Sequence, residues 1–215
     1  RILSGLGEPL DGLGTIHAEE WLPVRGASPK KPVWVLPVGP LTNVASAILL
    51  ARRQGLELSD RMKIVWLGGS RDAIAGEFNG NNDPWAGYVV GKSGVEFWII
   101  PAYVGGRVKL DVRTESYRYP KNPLGEYLRR IMPKRNKSLY DPTAISTVLA
   151  FHLGLDWVGR YDYVEFGDPV EPYHWKASEG KTPVRVIREI AHEAMKEDLF
   201  STLNGKPHPL RRPEW

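Results

Sequence analysis

The chain has 215 residues, 42% of them apolar, and no cysteine. This fits one globular domain over 1–215 with a substantial core, and it excludes global disorder, disulfides, thiolate metal sites and a cysteine nucleophile. The net charge is +4, and the clusters Lys134-Arg135-Asn136-Lys137 and Arg211-Arg212 read as solvated surface, because a nucleic-acid footprint needs a basic face interleaved with aromatic platforms.

No apolar run approaches a membrane span and no signal-peptide pattern opens the chain. A cytoplasmic protein with no nucleic-acid or membrane partner is therefore expected. The first residue is Arg1, as in a processed or excerpted chain.

Residues 1–31 are glycine-rich with weak periodicity and are expected to be mostly loop. Residues 32–38, Pro-Val-Trp-Val-Leu-Pro-Val, predict a buried strand. Gly39-Pro40 ends it, and Thr42 or Asn43 is placed to cap a helix running to about residue 54. Residues 63–67 predict a second strand closed by Gly68-Gly69, followed by a loop carrying Glu77 and Asn79. Asp83-Pro84 opens another helix, with proline in the first turn where its missing N–H does no harm. A third strand follows at 95–100.

This alternation is the grammar of an α/β fold with an open, mostly parallel sheet and helices on both faces. Ligands of such sheets sit beyond the carboxyl ends of the strands. Val38 and the loop at 68–79 both lie at such ends. Further on, helices are expected at 122–132, at 143–153 behind Asp141-Pro142, and at 191–203. Strands are expected at 157–166 and 184–187.

Three segments carry candidate chemistry. In Gly76-Glu77-Phe78-Asn79-Gly80, side chains two apart share a face of an extended backbone. A carboxylate beside an amide suits a clamp on neighbouring sugar hydroxyls; the plainer alternative is that both satisfy backbone groups of a Gly/Asn-rich turn. The Val38 carbonyl, left without a regular partner by Gly39-Pro40, suits a hard cation such as calcium, or simply belongs to a strand-to-helix turn. Asp141 is either a helix N-cap or a metal carboxylate, and Tyr140 beside it offers an aromatic face or a phenol. His152, inside an apolar helix, is expected to be structural, His174 lies in an aromatic loop, and Trp66 and Trp85 are expected in the core.

Together, Gly39-Pro40-Leu41-Thr42-Asn43, Gly68-Gly69, Glu77-Phe78-Asn79, Asp83-Pro84 and Asp141-Pro142 resemble the inosine/uridine-preferring nucleoside hydrolase family in order and spacing. The resemblance runs from about Asp11-Gly12-Leu13-Gly14 to the closing helix. It implies hydrolysis of the N-glycosidic bond of ribonucleosides, or of a related N-riboside, assisted by one Ca2+. The Val38 carbonyl and Asp141 would be calcium ligands, Glu77 and Asn79 would hold ribose hydroxyls, and Tyr140 would meet the leaving base by stacking or as an acid.

The family's opening aspartate-rich strand end has no counterpart here; Asp11 is the only aspartate before Asp60. The family's first strands are therefore expected to be missing. The base aspartate and further calcium ligands are expected from a missing N-terminal segment or from a partner chain that completes the sheet, with a homo-oligomer possible. The alternative is a non-catalytic binding or assembly module that kept the fold.

Overall fold

The computed structural model describes residues 27–132, 136–167 and 173–206. Residues 1–26, with Asp11 and His17, lie outside the described residues, as do Lys134-Arg135, Glu171-Pro172, His208 and Arg211-Arg212.

In chain order the elements are β1 (Val33–Val35), α1 (Thr42–Arg53), β2 (Met62–Leu67), α2 (Phe78–Asn82), α3 (Pro84–Gly91), β3 (Glu96–Ile100), α4 (Ala102–Gly105), β4 (Lys109–Asp111) and α5 (Val112–Glu115). A 3-10 turn (Ser116–Arg118) precedes α6 (Pro123–Ile131), β5 (Asn136–Ser138), α7 (Tyr140–Leu153), β6 (Val158–Phe166), β7 (Trp175–Ala177), β8 (Val184–Ile190) and α8 (His192–Leu203). The described residues fall into two compact units, one within 1–102 and 161–188, the other within 103–160 and 189–215.

The first unit carries a six-stranded sheet in the order β1-β2-β3-β8-β6-β7. β1 through β8 along that order pair in parallel, and β6 with β7 antiparallel. The interior strand β2 is apolar and buried except at Lys63, as a strand covered on both faces must be. Ile64, Trp66, Phe97, Ile99 and Val186 form one core with Val44, Ala45 and Ile48 of α1 and Val89 and Val90 of α3. Each such large side chain stabilises the fold by roughly 1.5–3 kcal/mol on burial.

The start of β3 carries the exception. The Glu96 carboxylate meets Lys63 at 3.1 Å, Arg185 at 3.3 Å and the Trp98 indole N–H at 2.8 Å. Burial alone would push this carboxyl up; the Trp98 hydrogen bond and the Lys63 and Arg185 cations outweigh that and hold it below its ordinary value.

The second unit is mostly helical around a β4–β5 antiparallel pair. Asn122 caps α6 by accepting from the Gly125 N–H at 3.0 Å, and Pro123 fills the first helical position. Residue 125 must be glycine, since a Cβ there would lie 1.8 Å from the Pro120 carbonyl oxygen. α8 is tied to the 3-10 turn by Arg118, which bonds Glu197 and Glu115 and lies 3.9 Å over the Phe200 ring.

The mostly parallel α/β sheet is the one expected, with local corrections. The strand at 32–38 shrinks to Val33–Val35, because Pro32 and Pro37 have no N–H for the ladder. The loop at Glu77 and Asn79 contains the short helix α2. Neither Thr42 nor Asn43 caps α1, whose N-cap position is Leu41 without a side-chain bond. Nor does Asp141 cap α7; Leu139 holds that position. His152 is exposed in the last turn of α7. Trp66 is fully buried and Trp85 packs partly buried against the core.

Candidate active site

The carboxyl ends of β1 and β2 are joined by side chains from the segment between them and α3. β2 ends at Leu67, and Gly69 turns the chain with φ +79, a left-handed value that favours glycine. The Gly69 N–H donates to Glu77 Oε1 at 2.8 Å. Glu77 is extended, and its carboxylate also accepts from the N–H groups of Asn79 and Gly80, capping α2. One carboxylate thus fixes the β2 end to the start of α2. Gly80 sits so close that a Cβ would lie 1.8 Å from the Ile74 carbonyl oxygen.

Asn79, in the first turn of that helix, sends its amide nitrogen back to the strands. Nδ2 donates to the Leu67 carbonyl at 2.8 Å and, at 3.4 Å, to the Val38 carbonyl. Two carbonyl acceptors on the same atom settle which end of the amide is nitrogen. Oδ1 then faces away from that task and accepts no bond among the described residues. A carboxylate has about four acceptor positions, and Glu77 fills three. Both side chains are only partly buried, so the pair retains hydrogen-bond acceptors, and its amide donor is committed to the backbone.

Val38 is 45% exposed, and the neighbouring Gly39 carbonyl accepts from the Trp66 indole at 2.9 Å. Beneath, Asp83 is buried. Its Oδ1 caps α3 at the Ala86 N–H at 3.0 Å, and its Oδ2 accepts from the Thr42 hydroxyl at 2.5 Å.

Within one compact unit, then, Val38, Glu77 and Asn79 come together. Tyr140 and Asp141 belong to the other unit. Tyr140 is 41% exposed as the first residue of α7. Asp141 follows it, exposed, with no hydrogen bond or ion pair among the described residues. His174 is exposed and bridges to Ala73.

The residues missed by sequence reading are backbone groups, the Leu67 carbonyl and the Gly69 N–H. Gly68-Gly69 marked the strand end but not what its polar groups would bind.

The donors present do not by themselves fit a calcium ion. No group of three or more acidic or histidine side chains placed to hold a metal occurs among the described residues. The Val38 carbonyl and the Asp141 carboxylate fall short of the six to eight oxygens calcium takes. No helix among the described residues is long and apolar enough to cross a membrane.

The profile of the inosine-uridine preferring nucleoside hydrolase family matches residues 5–197, and the chain belongs to that family. Its fold is similar to that of a purine-preferring ribonucleoside hydrolase from Gardnerella vaginalis (TM-score 0.63, 16% identity, 80% of this chain and 60% of that one). It is similar too to an inosine-guanosine nucleoside hydrolase (0.62, 18%, 84% and 64%) and to an inosine-uridine preferring nucleoside hydrolase from Bacillus anthracis (0.58, 21%, 81% and 61%). The chain spans less than two thirds of the length of these structures. No curated protein matches it.

Proposed function

We propose that this chain is the sugar-binding part of a hydrolase that cleaves the N-glycosidic bond of ribonucleosides, or of a related N-riboside, to free base and ribose. The observation that carries this is the Glu77–Asn79 pair, joined through Asn79 to the Val38 carbonyl at the carboxyl ends of β1 and β2, in a chain of the nucleoside hydrolase family. The similar structures are named for inosine, guanosine, uridine or purine ribonucleosides, which favours a nucleoside as substrate.

Glu77 and Asn79 Oδ1 are assigned to accept hydrogen bonds from neighbouring ribose hydroxyls, each of which has one proton to donate. The rigid attachment of both side chains to the strand ends would orient the sugar before reaction. A fixed carboxylate beside it also favours the positive charge of an oxocarbenium-like transition state. Tyr140 is assigned to the leaving base, by stacking or by donating its phenol proton.

The Val38 carbonyl and Asp141 are assigned to Ca2+. The remaining oxygens, and the aspartate that takes the proton from water, would come from outside the described residues, on another segment or a partner chain.

A second reading has its own observation. Glu77 and Asn79 are already bonded to backbone groups, which is what a non-catalytic binding or assembly module that kept the fold would also show. Base release from inosine and uridine separates the two, measured on the protein with any co-purifying chain, alongside calorimetric titration with calcium. Calcium binding with release of base supports the hydrolase; neither, under any of these conditions, leaves the binding module.

A further inference from the structure

Helix α6 is mounted the wrong way round for a surface helix. Such a helix ordinarily turns its apolar stripe to the core and its charges to water. Here the side held against the rest of the unit carries Gly125, buried against Pro120, and Arg129, whose guanidinium donates to the Tyr119 and Pro120 carbonyls at 3.1 Å each. Leu124, Tyr127 and Ile131, spaced to share one face, are 48%, 49% and 50% exposed. Leu128, partly buried, borders the same stripe. Single exposed apolar residues are ordinary, but a row of them marks a contact surface.

The charges beside the stripe identify what meets it. Glu126 and Arg130 lie one turn apart on the same flank, both exposed, the acid in the first turn of α6 and the base in the last. Arg130 lies 5.5 Å over the Tyr127 ring, and neither charge has an ion-pair partner among the described residues. A two-fold axis across an antiparallel helix pair sets each flank beside its own copy, running in the opposite direction. Glu126 of one copy then meets Arg130 of the other, twice. Leu124 meets Ile131 twice, and Tyr127 packs on Leu128 at the centre. The helix dipoles, being opposed, favour the same arrangement.

We infer that α6 is the contact surface for a second copy of this chain, packed antiparallel about a two-fold axis near Tyr127 and Leu128. One stripe on a helix of 9 residues is smaller than a standard interface, so the dimer is weak and depends on concentration. Self-association needs no nucleosidase activity, so its failure would leave that reading intact.

Sedimentation velocity of the full chain, from low to high micromolar concentration, reads the result. The parent should pass reversibly from monomer to dimer. Tyr127→Lys, which puts an ammonium at the centre of the stripe, should abolish association. Glu126→Arg loses both ion pairs and sets like charges together, and should weaken association about tenfold. Adding Arg130→Glu to that variant restores both pairs in reverse and should bring association back to within about threefold of the parent. The replaced side chains are exposed, so all variants should keep the parent's far-ultraviolet circular dichroism. A parent that stays monomeric throughout, whether or not it binds phosphatidylglycerol vesicles through this stripe, would overturn the assignment. So would Tyr127→Lys that associates as the parent does, or a double variant no tighter than Glu126→Arg alone.

Discussion

Thr42 and Asp83, 41 positions apart, share a buried hydrogen bond of 2.5 Å. It runs from the first turn of α1 to the cap of α3, so two motifs that the sequence presents separately are one structural joint. Replacing Thr42 by Val removes a hydrogen bond to a carboxylate and should destabilise the fold by about 2 kcal/mol. Thr42→Ser should recover most of it. Asp83→Ala loses the Ala86 cap as well, adding about 1 kcal/mol. Urea unfolding of the single and double variants should give a coupling energy of about 1–2 kcal/mol; additive effects would show that the bond is not formed.

Glu77→Gln tests how firmly the β2 end is held. A sugar-binding role alone predicts slower hydrolysis with an unchanged fold. The structure adds a local cost, because an amide offers one oxygen where the carboxylate accepts from three N–H groups. Hydrogen exchange at Gly69, Asn79 and Gly80 should accelerate roughly tenfold, matching a lost cap of about 1 kcal/mol or slightly more. Protection unchanged at all three amides would refute the capping role.

Asn79 distinguishes donor from acceptor. Asn79→Asp places a carboxylate oxygen against the Leu67 and Val38 carbonyls, where the amide nitrogen now sits. It should destabilise the fold more than Asn79→Ala, by about 1 kcal/mol or more. Thermal unfolding at neutral pH reads the order. Equal stabilities would mean the amide does not hold the strand ends.

The Glu96 cluster gives a pH signature. The folded carboxyl lies below its ordinary value of 4.5. Its stabilising contribution is therefore complete above that value and is lost as pH falls through the lower folded one. Stability should decline as pH falls from the ordinary carboxyl value of 4.5 through the lower folded one, and less steeply in Glu96→Gln. Parallel pH profiles for the two proteins would contradict the cluster's role.

Much of this was legible beforehand for identifiable reasons. β2 and β3 are apolar runs apart from Lys63 and Glu96, as buried parallel strands tend to be. Asp83-Pro84 and Asn122-Pro123 announce helix starts through a side-chain oxygen followed by a proline. Glu77 and Asn79 could be singled out as a pair, but their orientation could not. A Gly-Glu-Phe-Asn-Gly string is compatible with a loop until the Gly69 N–H, brought from eight residues earlier, fixes the carboxylate. The β4–β5 pair escaped notice because each strand is only three residues long and β5, Asn-Lys-Ser, has no apolar side chain. Periodicity has nothing to report there. The Thr42–Asp83 bond is a tertiary contact that the capping preference of threonine concealed.

The central claim, that Glu77 and Asn79 hold the sugar of a nucleoside undergoing hydrolysis, is tested most directly by ribose release. The protein, with any chain that co-purifies, is incubated with inosine and with uridine, and reducing sugar is measured for the parent, Asn79→Ala and Asp141→Ala. The account predicts release by the parent, a loss of at least about tenfold in Asn79→Ala, the worth of one hydrogen bond at the upper end of its range, and abolition in Asp141→Ala. Release by all three at equal rates would contradict it.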